Sequence, residues 1–390
     1  MHTILRRALS SAATGGGPKS FRRLDGNAAA DAVIQAVQAR FAPRRHGAPP
    51  PPLPSATQVT SAAEAVAHER NGYRAWALYT HVRQGELELE RGAAATLARA
   101  MLHIDHDLFE LRCVQRTAAV LEHARGAGNV SAELLEACAA ACAIAGEPEG
   151  CAALVDEAAA LCGGVAPPAL HAALIEAHGE AGALDDAFAH YRRLEAAPGG
   201  SPPPGVLQIA LMKACAGAHA PAAAFELLAE LRAAPGWRRR VSGPGLLAPL
   251  VHACARAGDA ARARDALALA KEIDAKIHSA AIWACATAAA EHPPFVELAL
   301  QSWRDARAAN VAVGRGALVL LLRACLAHGA DAAAEEVLAQ QGADGGLDLL
   351  HSLAWRDETE ARRRSDPRQH GGREEKVEET APRVADGRGR

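Results

Sequence analysis

The 390-residue chain is 50% apolar but only 4% aromatic, and its 42 basic and 45 acidic residues leave a formal net charge of −3. No run of eighteen uncharged apolar residues occurs, which excludes a membrane-spanning helix. Nine cysteines in a chain of this length do not make a disulfide scaffold and suggest a reducing compartment. Alanine fills nearly every window after residue 90. Alanine is the best helix former and lets helices pack closely, so the composition points to an all-α protein.

At the N-terminus, residues 1–50 hold eight basic residues (Arg6, Arg7, Lys19, Arg22, Arg23, Arg40, Arg44 and Arg45) against Asp25 and Asp31. The opening MHTILRRALSSAATGGG has no acid and places Ile4, Leu5, Ala8 and Ala12 on one face of a short helix. That is the pattern of an organellar transit peptide, with a plain basic tail as the competing reading. Arg6 and Arg7 favour a mitochondrion, hence its matrix, over a chloroplast, which is the alternative. PRRHGAPPPPLP at 43–54 then marks a stiff linker. Residues 1–54 are therefore expected to be transit peptide and Pro-rich linker.

The body, 58–345, carries a repeat. CAAACAIAG, LIEAHGEAG, LMKACAGAH, LVHACARAG, AIWACATAA and LLRACLAHG begin at 138, 174, 211, 250, 281 and 321, at intervals of 36, 37, 39, 31 and 40 residues. A period in the mid-thirties is the mark of stacked helical hairpins. Each window reads as a first helix, with apolar residues such as Leu250, Val251 and Cys254 on one stripe. Gly146, Gly182, Gly258 and Gly329 sit where that helix would stop. Second helices are expected over 185–197, 221–234, 260–273 and 294–307, with Phe188, Tyr191 and Leu194 at helical spacing in the first of them. Earlier, 73–85 resembles a second helix with a degraded first helix before it, and 94–126 looks like a unit with an insertion. About eight units fill the body, giving an α-solenoid. After residue 346 charges of both signs alternate with almost no large apolar residue beyond Trp355, the composition of a charged disordered tail.

Five of the six windows place cysteine fifth (Cys142, Cys215, Cys254, Cys285 and Cys325) and the other places His178 there. Packed helices lie about 8–10 Å apart, whereas a disulfide needs Cα atoms within about 7 Å and zinc needs sulfurs at about 2.3 Å. One cysteine per unit is thus a small buried hydrophobe. Cys138 and Cys142, one turn apart and near Cys151 and Cys162, are the one place where a zinc site competes with packing; no metal is predicted.

LIEAHGEAGALDDAFAHYRRLEAA (174–197), LVHACARAGDAARARDALALAKE (250–272) and LLRACLAHGADAAAEEVLAQ (321–340) resemble units of the pentatricopeptide repeat family, a likeness that extends over about two thirds of the chain. The resemblance implies an organellar protein that binds single-stranded RNA, one base per unit, through side chains of the first helices. The family's base-reading residue, two positions before the apolar pair, falls on Glu136, Ala172, Ile209, Ala248, Ser279 and Val319. Its partner at the unit's end falls on Pro204, Gly243, Gly314 and Asp274, the last being the one acidic match. Members that read sequence usually carry Asn, Ser or Thr at the first position. Only Ser279 does so here, and alanine, isoleucine and valine cannot hydrogen-bond a base edge. Base-specific reading is therefore not expected of most units.

RNA affinity also needs lysine and arginine at phosphates. Candidates are Arg192, Arg193, Lys213, Arg238, Arg239, Arg240, Arg256, Arg262 and Arg323. Yet residues 1–50 hold 8 basic and 2 acidic residues and 346–390 hold 10 of each, so 51–345 retains 24 basic against 33 acidic, a net −9. No P-loop, dinucleotide-binding glycine turn or zinc-hydrolase motif is present. HIDHD at 103–107 reads as a polar helix end in preference to a metal site. No catalytic residue, cofactor or metal is expected. The chain reads as an organellar RNA-associated helical-repeat protein of RNA processing, stability or translation, with single-stranded or ribosomal RNA as partner and neither DNA nor membrane. The alternative is a scaffold or structural component of an organellar ribosome or other complex, with proteins as partners.

Overall fold

The computed structural model describes residues 28–41, 52–69, 71–103, 110–196, 205–233, 243–273 and 278–340, with Gly346 and Leu349. Among them are seventeen helices and no strand. The first, α1 (Ala28–Phe41), precedes eight pairs: α2 (Ala56–His68) and α3 (Gly72–Gln84); α4 (Arg91–Met101) and α5 (Glu110–Gly126); α6 (Ala132–Ala145) and α7 (Pro148–Leu161); α8 (Pro168–Glu180) and α9 (Leu184–Glu195). They continue with α10 (Gly205–Gly217) and α11 (Pro221–Ala233); α12 (Gly243–Arg256) and α13 (Ala260–Ile273); α14 (His278–Ala288) and α15 (Phe295–Ala308); and α16 (Arg315–Ala327) and α17 (Asp331–Gln340).

The first helices form an unbroken series, α2 on α4, α4 on α6 and so on to α14 on α16, while each second helix packs on its own first helix. The protein is thus an all-α solenoid of helix-turn-helix units. The first helices are its inner layer and the second helices its outer one. All six windows fall on first helices and run one or two residues past their ends, and the four expected second helices begin and end within two residues of α9, α11, α13 and α15.

Local chemistry explains the boundaries. Ser131 caps α6 by accepting from the Leu134 N–H at 3.2 Å, and Ser55 and Gln58 form a reciprocal box at the start of α2. Gly146, Gly182, Gly258 and Gly329 all take left-handed φ, from 65° to 77°. The turn lets the N–H of the next residue reach back to the carbonyl of the window's fifth residue: Glu147 to Cys142 at 2.9 Å, Ala183 to His178 at 2.8 Å, Asp259 to Cys254 at 2.9 Å and Ala330 to Cys325 at 2.8 Å. His219 (φ 54°) performs the same turn without glycine, with Ala220 donating to Cys215 at 2.9 Å.

The repeat cysteines pack rather than pair. Cys215, Cys254, Cys285 and Cys325 are fully buried and Cys142 nearly so, and none forms a disulfide. Burial pushes the Cys215, Cys254 and Cys285 thiols up to about 12. Among the described residues no three metal-ligating side chains gather. Residues 104–107 of HIDHD lie outside the described residues.

One element is absent from the sequence reading. α1 falls inside 1–54, which was read as transit peptide and linker. Its Ala30, Val33 and Val37 are buried against α2 and α3, and Asp31 accepts from the Arg74 guanidinium at 2.5 Å. The first pair of a solenoid has one face with no neighbouring unit to cover it. Here α1 covers it.

α8 and α10 approach each other closely at two glycines. A Cβ on Gly179 would lie 2.2 Å from the Cα of Ala214, and one on Gly217 would lie 2.8 Å from the Glu180 nitrogen. Replacing glycine by alanine within a helix ordinarily gains about 1 kcal/mol, but here the backbones must separate. We expect Gly179→Ala to destabilise by about 1–3 kcal/mol in urea unfolding, whereas Gly92→Ala, whose Cβ meets nothing within 4 Å, is neutral or stabilising. In the folded protein a thiol reagent should label exposed Cys162 and leave the five repeat cysteines unmodified until the chain unfolds; labelling of those five at the rate of Cys162 would contradict their packing role.

Candidate binding groove on the first helices

On a helix, residues four apart share a face, so the repeat sets three parallel rows along the inner layer. The first holds the nominated base-reading positions Glu136, Ala172, Ile209, Ala248, Ser279 and Val319. One turn on lie Ala140, Glu176, Lys213, His252, Trp283 and Arg323, and a turn further Ile144, Glu180, Gly217, Arg256, Thr287 and Ala327. Two cavities run over these rows. A larger one, about 760 Å³, spans α6 to α14 and is lined by Ile144, Ile209, Ala248, His252, Thr287 and Glu291 among others. A smaller one, about 280 Å³, extends from α4 to α10 past Arg99, Glu136, Ala140, Ala172 and Val206. Glu176 and Lys213 border both, so the two form one groove.

The structure brings four first-row candidates to that groove: Glu136, Ala172, Ile209 and Ala248. Val319 is buried. Ser279 Oγ accepts from the Gly314 N–H at 3.2 Å, tying α14 to the start of α16. Of the phosphate candidates, Lys213 and Arg256 line the groove, and both are engaged. Lys213 Nζ donates to Glu176 at 2.9 Å. Arg256 donates to both Glu180 carboxylate oxygens, at 2.8 and 2.9 Å, and more weakly to the Ala216 carbonyl at 3.5 Å. This second pair skips a unit, from α12 to α8. It can do so because Gly217, between them on α10, has no side chain to block the path. Arg323 lies half-buried on α16. Arg238, Arg239, Arg240 and Asp274 lie outside the described residues.

The remaining candidates are on second helices, away from the groove. Arg192 and Arg193 are exposed on α9, and Arg262 on α13 pairs with Asp259 at 3.1 Å. Arg193 is 3.1 Å from His190 Nδ1, and His190 Nε2 is 3.2 Å from His171 Nδ1. A guanidinium can only donate, so His190 is a neutral Nε2–H tautomer that donates in turn to His171.

Charge in the groove is governed by desolvation. Burial raises the Glu136 carboxyl, helped by the Glu133 charge and opposed by Arg99. Burial likewise raises Glu176 in spite of Lys213. Burial, reinforced by Arg256, lowers His252 and so favours its neutral form. The lining contains the carboxylates Glu136, Glu176, Glu180 and Glu291 against the cations Arg99, Lys213 and Arg256. Sequence reasoning singled out the cations and missed their acceptors. One signal was available: Glu176 and Lys213 are 37 residues apart, the repeat interval, and so occupy one position in adjacent units.

Stacked first helices with a groove along them, each backed by its second helix, define a helical-repeat protein. No protein-family model matches the chain, and no curated protein matches it in sequence. Among solved structures it is similar to the crystal structure of the pentatricopeptide repeat protein PPR10 from maize, with 15% identity and a TM-score of 0.45 over 78% of this chain and 48% of that one. It is also similar to PPR10 in complex with an 18-nt psaJ RNA element, with 14% identity and a TM-score of 0.42 over 75% of this chain and 46% of that one. The chain spans about half the length of these structures.

His190 gives the array a pH dependence. Burial, followed by the neighbouring His171, Arg193 and His178, pushes its ring from the usual 6.5 down to about 4. Above 6.5 the ring is neutral whether folded or not. Between 6.5 and about 4 the unfolded chain takes a proton that the folded protein refuses, so stability falls as pH falls and levels off below that window. Unfolding free energy measured across this range should decline less in His190→Gln than in the wild type.

Proposed function

We propose that the protein is a helical-repeat scaffold of an organellar RNA-associated assembly, docking a partner in its inner groove without reading base sequence. One observation carries the reading: of the nominated contact positions in the groove, the base-reading ones are mostly hydrocarbon and the two phosphate-binding cations are already paired. Ala172, Ile209 and Ala248 present only hydrocarbon, Ser279 is engaged with Gly314, and Lys213 and Arg256 are held by Glu176 and Glu180. A strand of RNA would have to displace two carboxylates to gain two phosphate contacts. The net −9 of residues 51–345 adds repulsion over the whole surface.

The organellar setting rests on the acid-free, arginine-bearing opening of the chain, which fits a mitochondrial transit peptide, with chloroplast import as the alternative. The association with RNA processing, stability or translation rests on the pentatricopeptide-like windows. A component of an organellar ribosome satisfies both, because such an assembly presents protein and structured RNA together.

Two measurements test the reading. Purified protein titrated with labelled single-stranded organellar RNAs at increasing salt should bind weakly, with little difference between sequences and a shallow salt slope. On density gradients of organellar extract it should sediment with large particles. Tight binding to one RNA sequence over its permutations, with the free protein remaining at the top of the gradient, would replace the scaffold with a sequence reader.

A further inference from the structure

The groove combines three properties that together select a ligand. Its floor is built of small side chains, Ala140, Ala172 and Ala248, so a helix lying along it can seat one face between the rims. Its rim exposes branched hydrophobes: Ile144 is 43% and Val206 42% accessible, among the few large apolar side chains left uncovered. Its unbalanced charge is negative. Glu136 makes no hydrogen bond among the described residues, and burial raises its carboxyl. Of the cations in the same cavity, Lys213 is held by Glu176 and Arg99 only partly offsets the burial of Glu136, while the side chains of Leu102, Ala137, Ala169 and Ala173 offer no hydrogen bond. Such a group gains from a cation that brings its own donors.

We propose that the groove takes a basic amphipathic α-helix of a partner protein, its apolar face on Ile144, Val206 and Ile209 and one lysine or arginine on Glu136. This inference rests on the scaffold reading and names the partner's chemistry. Charge complementarity commits it to that occupant. A second copy of the chain would bring the same acidic body, net −9 over residues 51–345, and RNA would meet four lining carboxylates against three cations, two of them already paired. A basic helix leaves the Lys213–Glu176 and Arg256–Glu180 pairs intact and adds to Arg99 a second counter-charge at Glu136, whose carboxyl Arg99 alone leaves raised. The larger cavity crosses five first helices, about 32–40 Å at ordinary helix spacing. A helix of about 20–25 residues covers that distance.

The test uses the full-length protein and three fluorescent probes: an amphipathic helical peptide with leucine on one face and lysine on the other, the same peptide with glutamate for lysine, and a mixed-sequence single-stranded RNA. Anisotropy should show binding of the lysine peptide alone. Glu136→Gln, which keeps shape and removes charge, should weaken it about tenfold. Leu161→Asp, on the exposed end of α7, should leave it unchanged. Equal binding of the glutamate peptide, an unchanged affinity in Glu136→Gln, or RNA bound in preference to either peptide would each overturn the proposal. Gradient sedimentation separates the two levels of inference. If the protein travels with organellar particles but ignores the lysine peptide, the groove proposal falls and the scaffold survives. If the peptide binds and nothing co-sediments, the groove proposal stands and the scaffold reading falls.

Discussion

The structure depends on the close stacking of one first helix on the next. The fourth residue of every window is alanine, and Ala141, Ala177, Ala214, Ala253, Ala284 and Ala324 are all buried. A larger side chain there would hold neighbouring helices apart, and α8 against α10 tolerates not even a Cβ at Gly179. The same demand explains why the fifth residue is cysteine, whose sulfur fills slightly more space than alanine and makes no obligatory hydrogen bond. It also explains an aromatic content of 4% in a chain with so large a core. Stability in such an array accrues through neighbour contacts alone, so an uncovered end is a weakness, and α1 supplies the cover.

Close stacking also determines the fate of charge on the inner face. Side chains at one position in adjacent units are near enough to meet, so a cation finds a carboxylate of its own chain before it finds a ligand. Lys213 meets Glu176 one unit away, and Arg256 passes over Gly217 to reach Glu180 two units away. Exposed pairs of this kind are worth at most about 1 kcal/mol each, too little to matter for folding. Their effect is on recognition, because they occupy the donors that a phosphate would need.

Much of the fold was legible in the sequence because its signals are local. Helical spacing in LVHACARAG and a left-handed glycine at 258 need only nearby residues to be recognised, and both are where they were expected. α1 was masked by its surroundings: Val33 and Val37 lie one turn apart, but basic and proline-rich flanks suggested a tail. The groove was legible only in part. The positions nominated by the family resemblance include four that border the groove, whereas the burial of Val319 and the bond from Gly314 to Ser279 follow from packing that no count reveals. Partners 37 and 76 residues away become neighbours only once the pitch of the stack is known.

The proposed preference of this groove for a protein over a nucleic acid has an energetic side. For RNA to use Lys213 it must displace Glu176, a carboxylate that burial already disfavours. Lys213 is half exposed, so breaking the pair costs at most about 1 kcal/mol, but the displaced Glu176 carboxylate stays beside the phosphate and repels it. A cation entering beside Glu136 displaces no partner; it joins Arg99 in favouring the charged form of a half-buried carboxyl. The same carboxylates that repel a phosphate backbone therefore attract a basic polypeptide, and the hydrocarbon at Ile209 and Ala248, mute toward a base edge, becomes contact area for an apolar face.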